Sequence, residues 1–324
     1  MPITNNASYV PTMNEFAAHW GLVDAALGAP LIVSPDSKTS VSRVNFGTLK
    51  ANLGMANDEL VDHLNDQEIA RGDINLRKAK LLEHLREFTQ LMSAYYAATA
   101  FYNAVPKLPN VTDGQERFYA PLRDANSLWK KINVAVAPPG VTLPLALSDG
   151  MVQLVFDDAL RQLNQAYDSE ANAAQSVTVS RATRDKMKAE AYEVMKAYRQ
   201  AVPPRCAQHP ELVDTLPALT PAPGHTPEPV NASAVFQAPD QAKVAYDASA
   251  DADLARYELR SNPGDAYQDE DAVVIATNDP ADPREFITSF ALTQPGAQVA
   301  LKVYVVLNSG NEAGSATMVV HRPL

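Results

Sequence analysis

The chain has 324 residues, a net charge of −11 and a pI near 5.0, with 46% hydrophobic and 20% charged residues. That acidity excludes nucleic acid and anionic membrane surfaces as main partners, since both need a basic face, and no apolar run is long enough to insert into a bilayer. The length allows two domains with separate cores, and the single cysteine, Cys206, excludes an internal disulfide.

Along the chain, Thr12-Met-Asn-Glu15 has the form of a capping box, in which hydroxyl and carboxylate satisfy each other's free backbone donors. The helix it opens carries Met13, Phe16, Trp20, Val23 and Leu27 three and four residues apart, hence on one face, and Gly28, Ala29 and Pro30 end it. A second helix is predicted over 41–71 on a seam of Leu49, Leu53, Ala56, Leu60 and Leu64, broken by Gly72. A third, over 74–105, steps by four and three through Leu81, Leu85, Phe88, Met92, Tyr95, Thr99 and Tyr102. Such a heptad seam requires a packed helical partner. Pro106 and Pro109 close it.

Thr112 is placed to cap a fourth helix reaching about Val136, with Phe118, Leu122, Leu128, Trp129 and Ile132 as core, before the break at Ala137-Pro-Pro-Gly140. A fifth follows Ser148 with Phe156, Leu160, Leu163 and Tyr167 on one side. A sixth spans 181–202 on Met187, Ala191, Val194 and Tyr198. Long helices joined by short links favour antiparallel neighbours, so 1–202 is predicted to be one up-and-down helical bundle.

Eight prolines follow (Pro203, Pro204, Pro210, Pro217, Pro221, Pro223, Pro227 and Pro229), and no helix is expected to cross them. Leu212, Val213, Leu216 and Leu219 are too apolar for a solvated tether, so 203–231 is expected to be a proline-rich linker packed in part along the bundle. Beyond it, Phe286, Thr288, Phe290 and Leu292 alternate, as do Val299, Leu301, Val303 and Val305, which suits strands with one face in a sandwich core.

Asp253-Leu-Ala-Arg-Tyr-Glu-Leu-Arg260 reads as an early strand and Leu292-Thr-Gln-Pro-Gly296 as a turn. Lys302–Val306 and Asn308–Glu312 read as a penultimate strand and its exit loop. In these residues the segment 232–324 resembles a fibronectin type III domain. The resemblance implies seven strands in two sheets and a spacer or binding module that almost never carries catalysis; it implies no ligand. Tyr246 stands where that family has its core tryptophan and Val299 where it has its corner tyrosine, which removes a hydrogen bond from the corner. The expected fold class is multidomain, α then β: an antiparallel up-and-down helical bundle followed by a fibronectin type III-like, immunoglobulin-like β-sandwich.

Residues able to carry chemistry are sparse. Glu15 and His19 lie four apart, as do Glu59 and His63, and His84 follows Glu83; together they form the only candidate metal set. Di-iron bundles use Glu-x-x-His at three-residue spacing with further carboxylates, and neither that pair nor the His-Glu-x-x-His zinc spacing occurs. Boundary histidines supported by i,i+4 carboxylates are the simpler account, with His63 set near the Leu49/Ala56 seam. Cys206, between Pro204 and His209, lacks a scaffold for a base and an orienting group. No Gly-x-Ser-x-Gly elbow or glycine-rich phosphate loop is present. Arg71-Gly72-Asp73 matches the integrin-recognition triplet but reads as a helix break followed by a cap. Asp247, Asp251 and Asp253 share one connection of the sandwich, and Asp265, Asp269, Glu270 and Asp271 another. Neither matches an EF-hand loop; at one end of the sandwich the two would form an acidic rim for a cation or a basic partner.

The expectation is therefore a non-enzymatic interaction or scaffold protein without a cofactor, showing a fibronectin-like module to an unknown protein partner, with a homodimer left open. The alternatives are a metal- or small-molecule-binding bundle with the sandwich as accessory domain, and an extracellular adhesin or carbohydrate-associated module. Met1-Pro-Ile-Thr-Asn-Asn-Ala has neither the basic region nor the apolar run of a secretory signal, which points to the cytoplasm and leaves signal-independent export open.

Overall fold

The computed structural model describes residues 2–221 and 224–323; Pro223 of the linker lies outside the described residues. Helices α1 (Tyr9–Leu27), α2 (Arg43–Tyr95), α3 (Gln115–Asn133), α4 (Gln153–Arg205) and α5 (Pro210–Asp214) precede strands β1 (Ala232–Gln237), β2 (Gln241–Tyr246), β3 (Leu254–Pro263), β4 (Val273–Asn278), β5 (Glu285–Thr288), β6 (Gln298–Leu307), β7 (Glu312–Gly314) and β8 (Met318–His321). The chain divides into two units, one of Met1–Glu68 with Gln175–Leu324 and the other of Ile69–Ala174. No helix among the described residues is long and apolar enough to cross a membrane.

Several helical boundaries differ from the sequence expectation. The first helix begins at Tyr9, so Thr12 lies inside it and bonds the Ser8 carbonyl at 2.7 Å. The capping box belongs instead to Asn5 and Ser8, which open the preceding 3₁₀ turn. Gly72 does not break a helix, because α2 runs from Arg43 to Tyr95 without interruption. A helical glycine costs only about 1 kcal/mol, less than the packing of Leu60 before it and Ile74 and Leu81 after it. The fifth and sixth predicted helices are likewise one, α4, since the polar stretch between them has no glycine or proline to stop it. Finally, α4 runs past Pro203 and Pro204 to Arg205, and Pro210 opens the short α5 from its first turn. Proline is tolerated at a helix start, where its missing N–H is not needed.

The heptad seam holds through Leu81, Leu85, Phe88 and Met92, which are all buried. Tyr95 and Tyr102 are exposed, because α2 ends at Tyr95 and Tyr96 turns inward in its place. In the Ile69–Ala174 unit these residues meet Phe118, Leu122, Trp129 and Ile132 of α3 and Phe156, Leu160 and Leu163 of α4. Phe88 stacks on Trp129 with centroids 5.1 Å apart. The links Arg71–Glu170 and Arg77–Gln162 show α4 numbers falling as α2 numbers rise, so the two helices are antiparallel there.

In the other unit, Met13, Phe16, Trp20 and Val23 of α1 pack with Phe46 and Leu53 of α2 and with Ala191, Val194, Tyr198 and Val202 of α4. Trp20 stacks on Tyr198 at 4.5 Å. Gly28, at φ 66°, closes α1 in the left-handed conformation that only glycine adopts cheaply. Leu212 is buried in this core, and Val213, Leu216 and Leu219 pack against it.

The strands form two antiparallel sheets of order β1-β2-β5 and β4-β3-β6-β7, with β8 also paired to β6. Counting β7 and β8 as one interrupted strand gives the seven-strand, two-sheet arrangement that the fibronectin type III resemblance implies. The inner faces bury Val244, Tyr246, Tyr257, Leu259, Phe286, Val299, Leu301, Val303 and Val305. Tyr246 takes the tryptophan's place by stacking on Phe286, and its hydroxyl accepts from Asn278 at 2.9 Å. The corner that lacks a tyrosine is tied by Arg322, whose guanidinium donates to the carbonyls of Leu292 and Thr293 at 2.7 and 2.8 Å.

Candidate functional site

Alternation along β3 turns Tyr257 and Leu259 into the sandwich core and Arg256, Glu258 and Arg260 to the opposite face. A charged outer face would ordinarily be wet, yet Glu258 and Arg260 are only 3% and 4% exposed. Charges leave water only when paired, and here they are paired in series. Glu258 accepts from Arg256 at 2.6 Å through one oxygen and from Arg260 at 2.6 Å through the other. Arg260 then reaches Glu312 on β7 at 2.6 Å, and Glu312 accepts from Asn5 at 2.6 Å. The Arg260 guanidinium also lies over the Tyr304 ring, 3.9 Å from its centroid. Burial alone would lower the Arg260 pKa, but Glu312 and then Glu258 outweigh it and raise the value. Tyr304, which donates to Asp269, is pushed up to about 12 by burial first and by that carboxylate second.

The β3–β4 loop makes a second fastening. Arg184 on α4 is buried and donates to Asp271 at 3.0 Å and to the Glu270 carbonyl at 2.9 Å. Arg181 pairs with the same Asp271, and Asn6 bonds the same Glu270 carbonyl. One turn further along α4, Lys188 is buried without a hydrogen-bond partner, its Nζ 5.7 Å from the centroid of the Tyr9 ring. Burial and then Arg184 lower Lys188 to about 7, against the pull of Asp185 and Asp271. These contacts hold the β3–β6 face of the sandwich against α4 and the first residues of the chain. A groove of about 560 Å³ remains beside them, between Arg256 and Val274 on the sheet and Pro11 and Glu15 on α1.

The opposite sheet stays open. Val235 of β1, Lys243 of β2 and Ile287 of β5 are directly aligned across it. Val235 and Ile287 are 61% and 52% exposed, and Lys243 pairs with Glu285 at 2.7 Å.

The residues singled out in the sequence are dispersed. His19 is buried; its Nδ1 is 2.8 Å from the Tyr198 hydroxyl and its Nε2 2.8 Å from the Leu212 carbonyl. The carbonyl can only accept, so Nε2 donates and Nδ1 accepts, which commits both ring nitrogens to holding the linker on α1 and α4. Burial lowers the His19 pKa, with the Leu212 bond opposing. His63 is 2.7 Å from the Ser180 hydroxyl, while Glu15 and Glu59 are exposed on their helices. His84 belongs to the other unit, where its Nε2 meets Asp149 at 2.9 Å. Among the described residues, no three His, Cys, Asp or Glu side chains gather as a metal-holding group. Cys206 is buried in the α1/α4 core, and burial pushes its thiol up.

Arg71 and Asp73 lie within α2, pairing with Glu170 and with Arg77, so Asp73 caps nothing. Asp247 bonds Asn231, Asp251 bonds His225, and Asp253 bonds Asn308. That connection leaves one end of β3, whereas Asp265 and Asp269 leave the other. The conditional acidic rim therefore does not form. What the sequence reading missed is the pair of charge patterns, Arg256-x-Glu258-x-Arg260 at strand spacing and Arg181, Arg184 and Lys188 at helical spacing. Each places its charges on one face, and only docking decides whether that face is wet.

No protein-family model matches the chain, and neither does any curated protein. Solved structures match part of it. A Fn3-like protein from Clostridium thermocellum is 19% identical over 31% of this chain and 97% of its own, with a TM-score of 0.25. Pectate lyase PelI from Erwinia chrysanthemi is 20% identical over 28% of each chain, with a TM-score of 0.24. The FN1–FN3 domains of chicken CNTN1 are 14% identical over 33% of each chain, with a TM-score of 0.25. These scores are low, and the fold assignment rests on the strand order.

Proposed function

We propose that the protein is a non-enzymatic interaction or scaffold protein whose helical base presents the outer β1-β2-β5 face of its fibronectin type III-like sandwich to a protein partner. The burial of Glu258 and Arg260 carries this reading. With the charged β3–β6 face and the Asp271 loop taken up by contacts to α4 and the N-terminal residues, the β1-β2-β5 face is the broad surface left for recognition. Its aligned Val235, Lys243 and Ile287 offer two apolar contacts flanking a cation, and a few such residues can dominate an interface.

The test is quantitative capture from native lysate with the full chain as bait, comparing wild type with the double variant Val235→Glu/Ile287→Glu. Both positions are exposed, so the fold should be retained, as circular dichroism would verify. Wild type should retain specific proteins whose recovery falls about tenfold or more with the variant. Equal recovery by both baits would overturn the assignment of this face.

A further inference from the structure

One end of the Ile69–Ala174 unit, which the interaction reading does not use, differs in charge from the rest of the chain. Residues 88–112 and 125–148 contain no aspartate or glutamate, in a chain that carries 38; their charged side chains are Lys107, Lys130 and Lys131. The fold brings these two segments together. Lys78 of α2 lies over the Phe118 ring and Phe88 stacks on Trp129, so α3 runs parallel to α2 and both finish at the same end. That end lies about 39 Å of helix beyond Ile69, where the unit begins.

The loop after α3 returns to the α2 terminus, where a side-chain carbon added at Gly140 would lie 4.0 Å from the Tyr95 ring. Phe101, just ahead of the Tyr102–Ala104 3₁₀ turn, meets Tyr96 edge-on at 6.2 Å. Val134 and Val136 of the loop are 87% and 93% exposed, and Tyr95 and Tyr102 are exposed at the same end. Glu87, Asp149 and Asp157, which border the two segments, are engaged by the Ser148 N–H, by His84, and by Lys130 and Asn126. Apolar side chains left in water lower no energy within the fold, and an exposed apolar patch commonly marks a binding surface.

The charge pattern favours one occupant. A protein partner tests charge at particular contacts, and scattered carboxylates around such an interface are tolerated. A continuous anionic surface tests the whole end that faces it, which these two segments satisfy. We propose that this end of the unit docks on an anionic lipid bilayer without crossing it. Val134 and Val136 enter the acyl boundary, Tyr95 and Tyr102 lie at headgroup level, and Lys107 and Lys131 face the lipid anions. The net charge of −11 opposes such docking for the chain as a whole. Charges more than about 8 Å away are largely screened at physiological ionic strength, so the composition of the docking end decides.

The full-length protein is mixed with unilamellar vesicles, and the bound share is read by co-sedimentation. Vesicles of phosphatidylserine and phosphatidylcholine in equal parts should retain it, and phosphatidylcholine alone should do so about tenfold less. Val134→Glu with Val136→Glu, at positions exposed enough to leave the fold intact, should reduce retention on the anionic vesicles about tenfold or more. Lys107→Gln with Lys131→Gln should reduce it about tenfold, and added salt should weaken wild type more than this variant. No retention on anionic vesicles, equal retention on neutral ones, or unchanged retention of the valine variant would each overturn the proposal. So would a wild-type dimer that the valine variant converts to monomer without any vesicle binding, since a second copy would then cover this end. A protein captured from lysate by wild type and lost with the valine variant, again without vesicle binding, would assign the end to a protein partner instead.

Discussion

The linker and the sandwich are both fastened to α4, by opposite chemistry. Leu212, Val213, Leu216 and Leu219 of the linker join an apolar core, with hydrogen bonds from His19, Arg199 and Ile3 to its carbonyls as polar clamps. The sandwich instead presents Asp271 to Arg184, and its charged β3 face is closed over by Asn5. Apolar burial is non-directional and gains roughly in proportion to area. Buried ion pairs gain little net free energy against their desolvation, but they tolerate only one geometry. The difference separates two tasks: the linker supplies adhesion, and the ion network supplies orientation.

The largest test of that division is Asp271→Ala. It leaves buried Arg184 with only the exposed Asp185 as counter-ion and should cost about 3 kcal/mol, read as a lower urea midpoint and loss of hydrogen-exchange protection across 268–273. Converting both partners, Arg184→Met with Asp271→Leu, should restore most of that stability, because the one charge that also loses Asp271, Arg181, is partly exposed to water. A double variant as unstable as Asp271→Ala would mean that the ions also supply adhesion.

Lys188→Met is next, with an expected gain of about 1–4 kcal/mol near neutral pH. Folding lowers Lys188 to about 7 from the usual 10.5. Between those values the unfolded chain carries a proton that the folded chain has released, so stability rises with pH through that window. Below it both states are protonated and the full penalty of burying the charge applies. The gain should therefore be greatest at low pH and vanish at the alkaline end; melting scans of both proteins across the window would show this. A gain independent of pH would indicate a packing effect alone.

The smallest expected effect is at the linker. His19→Phe strands the Tyr198 hydroxyl and the Leu212 carbonyl and should cost about 1–3 kcal/mol, seen as faster proteolysis within 206–221. Burial keeps the folded His19 pKa below its usual 6.5. As pH falls through that value the unfolded chain gains a proton that folded His19 resists, so stability is lost toward acid, and the variant should lack this component. Equal acid sensitivity in the two proteins would assign it to another group.

The apolar patterns were legible in the sequence because they record burial directly. Met13, Phe16, Trp20 and Val23 are core as their spacing predicts, and so are Val299, Leu301, Val303 and Val305. Continuity across Gly72 was not legible, because one glycine's propensity penalty is decided by packing on both its flanks. Nor was the docked face: Glu258 and Arg260 alternate on β3 as a solvated face would, while the further counter-ion of Arg260, Glu312, comes from β7 and their cover from the N-terminal residues. His19 and His84 looked alike as helix histidines near carboxylates, yet one is saturated by its surroundings and the other keeps a nitrogen unused.

Asn5 meets its carboxylate 307 residues further along the chain, at Glu312, and Ile3 bonds the Leu219 carbonyl. Ile3 can therefore settle once the linker is in place, whereas Asn5 gains its carboxylate only when β7 exists. Contacts of such long sequence separation form late, since loop closure must precede their reward. Arg260 consequently gains its second carboxylate late, and the dehydration of Arg256, Glu258 and Arg260 becomes a late step of assembly, completed when Asn5 closes on Glu312.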